Sequence, residues 1–232
     1  MTRLVAALAA LLLAAVIPSL SVSPAVAASF DCAKARTKVE KLVCKDPQLS
    51  RQDEDLAKAY GEAQKAWDGK IAAYVKLNQR GWVGARALEP PGMSGGGILC
   101  TDDETALSCL RTIYTDRIAV LRNPGFRLSG IYVRGQDFLR IKAMPAGLDF
   151  AYQLADANMS QGSADETRPV KVAPGQTIVA FPLAGTGPDA CRLDVSFSAD
   201  QVTLTQKGPC GGADLGGWWK RDQARDPEGE MF

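Results

Sequence analysis

The 232-residue chain contains no histidine, which removes the commonest general base, proton shuttle and metal ligand from any mechanism it could run. Most hydrolase mechanisms fall with it. No Cys-x-x-Cys pair occurs either, and without histidine the usual zinc ligand sets cannot be completed. An excess of one charge is also missing: 27 basic residues stand against 26 acidic ones, so no long-range field draws the chain to nucleic acid or to an anionic bilayer. Composition is otherwise that of a soluble globular chain, 46% hydrophobic and 23% charged, which excludes wholesale disorder, collagen and a multi-span membrane protein. These absences lead us to expect a protein with no metal, no cofactor, no nucleic-acid partner and no catalysis of its own.

What is present begins at the amino terminus. Residues 1–27 read as a cleavable secretory signal, with Arg3 as the single charge, an apolar stretch over 4–17, and the small-x-small pattern Ala25-Val26-Ala27. The mature chain is expected to start at Ala28 or within a residue or two of it. The apolar run is shorter than the roughly 20 residues a membrane span requires, so no membrane association is expected once the signal is removed. Ser29-Phe30-Asp31 before Cys32 is bulky and charged where lipid attachment wants small residues. Cleavage also removes Arg3, leaving 26 basic residues beside 26 acidic. The expected location is periplasmic or secreted.

Six cysteines, at 32, 44, 100, 109, 191 and 210, in a chain that reads as exported, point to a disulfide framework. Their grouping makes Cys32 with Cys44, Cys100 with Cys109, and Cys191 with Cys210 the simplest pairing. A crossed arrangement, Cys32 with Cys109 and Cys44 with Cys100, would instead staple helix to helix, and spacing does not choose between them.

Hydrophobic periodicity divides the chain into a helical part and a strand part, an α+β architecture. Thr37 followed by Glu40 matches a capping box for a short helix that must end before Pro47. Ser50 is the expected cap of a second helix, whose stripe is Leu56, Ala59, Tyr60, Ala63 and Trp67. Asp53, Glu54 and Asp55 then fall in its first turn, where the helix dipole favours negative charge; they read as a solvated helix start, with a cation site as the sharper alternative. A third segment carries Ile71, Tyr74, Val75 and Leu77 toward Trp82. Residues 89–97, EPPGMSGGG, should be a mobile loop. Its Gly92-Met93-Ser94-Gly95-Gly96 matches the string of a hydrolase nucleophile elbow, yet it has prolines where the elbow needs a strand and no histidine to activate Ser94. A fourth helix starts near Asp102, Asp103 and Glu104 and shows Leu107, Leu110, Ile113, Tyr114, Ile118 and Leu121 on one face. Asn123-Pro124-Gly125 ends it.

After Phe126 the period falls to two. Alternation around Leu139 and Ile141, Phe150 and Tyr152, and Leu193, Val195 and Phe197 marks half-buried antiparallel strands. Further strands are expected over 129–134, 170–172, 177–181, 202–205 and 217–221. About eight short strands in roughly 100 residues imply a small antiparallel barrel or sandwich. Ser198-Ala199-Asp200 should turn a hairpin whose open end Cys191 and Cys210 would pin. Of Trp218 and Trp219, one should complete the core while the other points outward, because adjacent strand residues face opposite sides. The domain reading is therefore signal 1–27, a disulfide-stapled helical bundle over 28–123, an all-β domain over 126–223, and a flexible tail over 224–232.

Several of these residues together resemble a known family. Ser29-Phe30-Asp31-Cys32, then Val39-Glu40-Lys41-Leu42-Val43-Cys44, Asp46-Pro47-Gln48-Leu49 and Leu56-Ala57-Lys58-Ala59-Tyr60 are similar to the amino-terminal domain of the LprI-type lysozyme-inhibitor family. Gln79-Arg80-Gly81-Trp82 resembles its Gln-Arg-x-Trp signature, with Arg86 near the usual downstream basic residue. Cys100 and Cys109 followed by Leu110 resemble its second cysteine pair. The likeness covers about residues 29–121, and EPPGMSGGG is an insertion relative to it. More weakly, residues 217–221 resemble the Gly-x-aromatic-x-basic strand of small β domains that accompany such modules. The resemblance implies a secreted protein that binds and blocks a lysozyme without chemistry of its own. The cleft of the lysozyme carries two catalytic carboxylates, to which an inserted loop would offer a basic or hydroxyl group. Arg80, Trp82 and Arg86 have the composition of a partner-binding hot spot. The competing reading buries Trp82 in the core and leaves the arginines solvated or paired with Asp102, Asp103 or Glu104. Another function class remains: an envelope-associated module whose β domain holds a small ligand or wall component.

Overall fold

In a computed structural model the described residues are 28–66, 72–89, 100–155, 161–163, 169–184, 191–198, 200–208, 210 and 213–225. The expected signal, Trp67, the loop after Glu89 with its Gly-x-Ser-x-Gly string, and the tail beyond Arg225 lie outside them. Four helices come first: α1 (Lys38–Lys45), α2 (Pro47–Lys65), α3 (Ala72–Ala85) and α4 (Ala106–Arg122). Two short parallel strands, β1 (Leu88–Glu89) and β2 (Cys100–Thr101), pair between α3 and α4. The strand part follows as β3 (Gly130–Arg134), β4 (Asp137–Met144), β5 (Gly147–Gln153), β6 (Gln161–Ser163), β7 (Ile178–Ala184), β8 (Cys191–Phe197), β9 (Gln201–Lys207) and β10 (Gly217–Asp222).

The first helix begins as its sequence dictates. Thr37 accepts from the Glu40 backbone while the Glu40 carboxylate accepts from the backbones of Thr37 and Arg36, so both ends of the capping box close. The start of α2 differs from expectation. Its cap is Asp46, which accepts from Leu49 N at 2.7 Å with Pro47 as the first helical residue, and Ser50 is buried inside the helix. Proline at that position loses nothing, because its missing N–H would have been unpaired anyway. The acidic triplet therefore sits a turn deeper than expected, which makes its first member an interior residue. The fourth helix begins at Ala106, where Asp103 accepts from Thr105 N and Oγ1 at 2.7 and 2.6 Å.

All three disulfides take the sequential pairing: Cys32 with Cys44, Cys100 with Cys109, and Cys191 with Cys210. The first ties the chain entry to α1, the second ties β2 to α4, and the third closes the β8–β9 hairpin. Arg111 of α4 donates to Asp46, so the cap of α2 is also its bolt to α4.

Eight strands form one antiparallel sheet in the order β6-β5-β4-β3-β10-β9-β8-β7. The sheet curls into a nearly closed, barrel-like layer, with Phe150 of β5 and Phe181 of β7 meeting at 5.1 Å although their strands lie near opposite ends of that order. The segment expected as a strand over 170–172 makes only a single bridge, Val170 with Leu148, while the short strand Gln161–Ser163 was not anticipated. One apolar cluster runs from Val43, Leu49 and Leu56 through Leu110, Tyr114 and Phe126 to Leu139, Phe150, Val195 and Trp219. Asn123, just past α4, donates to the carbonyls of Met144 and Gly147 and accepts from Gly125 N, which locks the helix end onto the β4–β5 turn. At the other contact, the buried Arg221 of β10 donates to the carbonyls of Ser129 and Arg127 and lies 5.5 Å from the Tyr74 ring of α3.

Candidate functional site

The residues singled out by the Gln-Arg-x-Trp string all lie on α3, and helical geometry sends them to different places. Gln79 accepts from Arg117 Nε and Nη2 at 3.0 and 2.9 Å, beside Asn78, which accepts from Nη2 at 2.6 Å. Trp82 is 7% exposed and stands edge-on to Tyr114 with centroids 5.2 Å apart. Arg117 is 5.9 Å and Arg86 5.6 Å from the Trp82 ring, so two guanidinium groups approach the indole. Arg80 is the member of the trio that faces solvent.

Arg86 closes a buried cluster. Its side chain, 16% exposed, donates to the Tyr114 hydroxyl and lies 3.8 Å from Asp53 Oδ1. Tyr114 in turn donates to Asp53 Oδ1 at 3.2 Å, while Ser29 donates to Asp53 Oδ2 from its backbone N at 2.9 Å and its hydroxyl at 2.6 Å. Burial pushes the Tyr114 phenol well above its ordinary value, with the neighbouring Asp53 charge adding to the shift against Arg86. The phenol therefore stays protonated and serves as a donor. The expected pairing of these arginines with Asp102, Asp103 or Glu104 does not occur in the described contacts: Lys38 takes Asp102, and Asp103 is used by Thr101 and Thr105.

Of the acidic triplet, Asp53 is buried within this cluster rather than solvated, because the shifted helix start turns it inward; Asp55 stays exposed and faces Lys58 at 3.7 Å. Among the described residues no group of three or more cysteine, aspartate or glutamate side chains is placed to hold a metal ion.

Outside the cluster, α3 presents Ala73, Lys76, Arg80 and Val83 to solvent at helical spacing, Val83 being 42% exposed. Beside Val83 opens a cleft of about 280 Å³ between the start of α1 and the end of α3, lined by Thr37, Lys38, Glu40, Arg86 and Leu88. The buried Trp82 and half-buried Arg86 thus brace a basic, partly apolar helix face, and Arg80 stands at its centre. Sequence reasoning missed Ser29, Asp53, Tyr114 and Arg117 as members of the cluster.

A second outward surface lies on the sheet. Register places Trp218, Thr203, Ser196 and Ile178 side by side across β10, β9, β8 and β7, with Trp218 64% and Ile178 60% exposed. Trp219 faces the other way, fully buried, and donates from Nε1 to the Leu215 carbonyl.

Fold and site together define a disulfide-braced helical bundle built onto a barrel-like antiparallel sheet, with charged groups spent on packing and a basic helix face left outside. The chain is similar to the protein named lipoprotein LprI of Mycobacterium tuberculosis and of Mycobacterium bovis, 31% identical over 104 residues. That alignment covers 45% of this chain and 46% of each relative, so the chain matches less than half the length of the curated relatives. No family model matches the chain, and no solved structure matches it.

Proposed function

We propose that this protein works outside the cytoplasm as a binding protein that blocks a lysozyme by occupying its cleft, using the outer face of α3 with Arg80 at its centre. The likeness to LprI, set beside a helical bundle closed by two disulfides, is the observation that carries the reading. A braced scaffold loses little freedom on binding, so contact energy is not spent on ordering it. Lys76 and Arg80 supply positive charge to a cleft that works through two carboxylates, and Val83 adds apolar contact. Trp82 and Arg86 act from behind, fixing the helix face rather than touching the partner.

Titrating a lysozyme with the mature protein tests this directly. Stoichiometric loss of wall-lytic activity supports the reading, and full activity at a several-fold excess of this protein removes it.

The row Trp218, Thr203, Ser196 and Ile178 favours one other reading, an envelope-associated module whose sheet holds a wall component. An exposed tryptophan on a rigid strand is an amphipathic contact surface held at low entropic cost. Retention on isolated cell wall, lost in Trp218→Ala, with no retention on immobilised lysozyme at near-physiological salt, selects this second reading over the first.

A further inference from the structure

Residues 28 and 29 are tied to the helical bundle, Ala28 by packing and the exposed Ser29 by hydrogen bonds to Asp53. Ala28 is 8% exposed and belongs to the apolar cluster. Ser29 sends two donors to a single oxygen, Asp53 Oδ2, across 24 positions of sequence. The other carboxylate oxygen receives Tyr114 and faces Arg86. The segment ahead of the first helix is tied down by a buried carboxylate of α2. The small-x-small pattern Ala25-Val26-Ala27 ends immediately before this anchored pair.

We propose that Asp53 is the receptor for the amino terminus created when the chain is cut between Ala27 and Ala28, and that the cut precedes closure of the helices. An endopeptidase of the export machinery supplies the catalysis and water is the co-reactant. The C–N bond breaks, the hydroxyl of water goes to the Ala27 carbonyl to give a carboxylate, and Ala28 keeps the nitrogen as an α-ammonium. Covalent geometry alone puts that nitrogen within roughly 7 Å of Asp53 Oδ2, since Ser29 N already lies against it. At that range the new positive charge is attracted to Asp53, whose side chain is buried although Ser29 itself faces solvent. Arg86 approaches the same carboxylate at Oδ1, the oxygen Ser29 does not use.

The order of events follows from burial. A peptidase needs extended, reachable backbone on both sides of the bond it cuts, and in the folded protein Ala28 is packed and the Ser29 N–H is taken. Anchorage here is made by the fold. The thiol of Cys32 is bonded to Cys44 and is not available for a thioether-linked lipid. This inference uses none of the outer face of α3 and stands or falls apart from the lysozyme reading.

Three measurements test it. Intact mass of the exported product should give a chain beginning at Ala28; a start beyond Ser29 overturns the proposal. Acetylation of the α-amine with an amine-reactive ester, followed by peptide mass spectrometry, should run about tenfold slower in the mature protein than in Asp53→Asn, as expected for a group released only by local opening; equal rates overturn it. A mature chain carrying two extra residues, Gly-Ser, before Ala28 serves as the second variant with Asp53 untouched. It should label at the rate of an unstructured peptide and melt at lower temperature, and labelling as slow as in the unextended protein overturns the receptor role. Finally, oxidised, refolded full-length chain should resist the export peptidase while the reduced, unfolded chain is cut; equal cutting of both overturns the stated order.

Discussion

Tyr114 donates its hydroxyl to Asp53 Oδ1 at 3.2 Å while accepting from Arg86, so a single phenol oxygen joins α4 to α2 and to the end of α3. The cluster replaces apolar packing at the centre of the bundle with a set of mutually satisfied polar groups. Such a set is intolerant of losing one member, because the survivors stay buried without partners.

Tyr114→Phe should cost about 1–3 kcal/mol, the penalty for stranding two buried polar groups. Arg86→Ala should cost more, on the order of 3 kcal/mol, since Asp53 then keeps its burial and loses the Arg86 guanidinium. Urea midpoints of the two variants check the ranking, with unchanged denaturant slope showing that the native state is otherwise intact. Because burial holds the phenol protonated, the Tyr114→Phe penalty should be flat from roughly pH 5 to 9.

Asp46 carries the acid-sensitive part of the same bundle. The hydrogen bond from the Arg111 guanidinium holds its carboxyl below the ordinary value of 3.8; burial opposes it, and the Leu49 N–H adds to the lowering. A carboxylate whose folded value is depressed stabilises fully above its unfolded value, and that stability is lost as pH falls through the folded value. Stability should therefore decline on acidification below about pH 4. In Asp46→Asn, which keeps an acceptor for the helix cap, that part of the decline should vanish. Asp46→Ala loses the cap as well and should be destabilised by about 1 kcal/mol more at neutral pH. Thermal melts of the three proteins across the acid range measure all of this.

Arg80 and Trp82 separate binding from folding. Arg80→Glu reverses an exposed charge and should leave the melting temperature nearly unchanged, while weakening lysozyme inhibition by about tenfold or more. Trp82→Ala empties a buried site and should destabilise by about 3–5 kcal/mol. Inhibition constants measured beside melting curves distinguish the two, and an Arg80→Glu protein that inhibits as well as its parent moves the contact surface elsewhere.

The two adjacent tryptophans of β10 should differ as sharply. Trp218→Ala alters an exposed residue and is expected to change stability by less than about 0.5 kcal/mol. Trp219→Ala removes a fully buried indole and its hydrogen bond to Leu215, at a cost of about 3–5 kcal/mol. Equilibrium unfolding of both variants decides whether the sheet depends on one ring or on both.

Much of the architecture was legible in the sequence, for local reasons. The capping box at Thr37 and Glu40 acts within four residues, and the change of period after Phe126 is a property of each strand's own alternation. The cap of α2 was misplaced at Ser50 because both Asp46 and Ser50 precede helical spacing, and the Asp46-Pro47 pair was read as a stop for α1 and a family turn rather than as a helix start. The strand expected over 170–172 pairs at a single position, since a run of suitable residues is not a strand until a neighbour lies along it.

The candidate site was legible in residue type and not in direction. Trp82 and the arginines were singled out by their string, but the burial of Trp82 and the inward turn of Arg86 depend on α4 bringing Tyr114 across from them. Likewise nothing near Asp53 in sequence marked it as buried, because its partners come from positions 29, 86 and 114.

From the sequence alone came the export reading, the three nearest-neighbour cysteine pairs as the simplest pairing, and the passage from helices to strands, all consequences of composition and short-range periodicity. The tertiary structure decided which polar groups were taken inside and which were left facing water. That division depends on contacts between segments far apart in the chain, where the cost of burying a charge is met only by a partner that the fold itself brings.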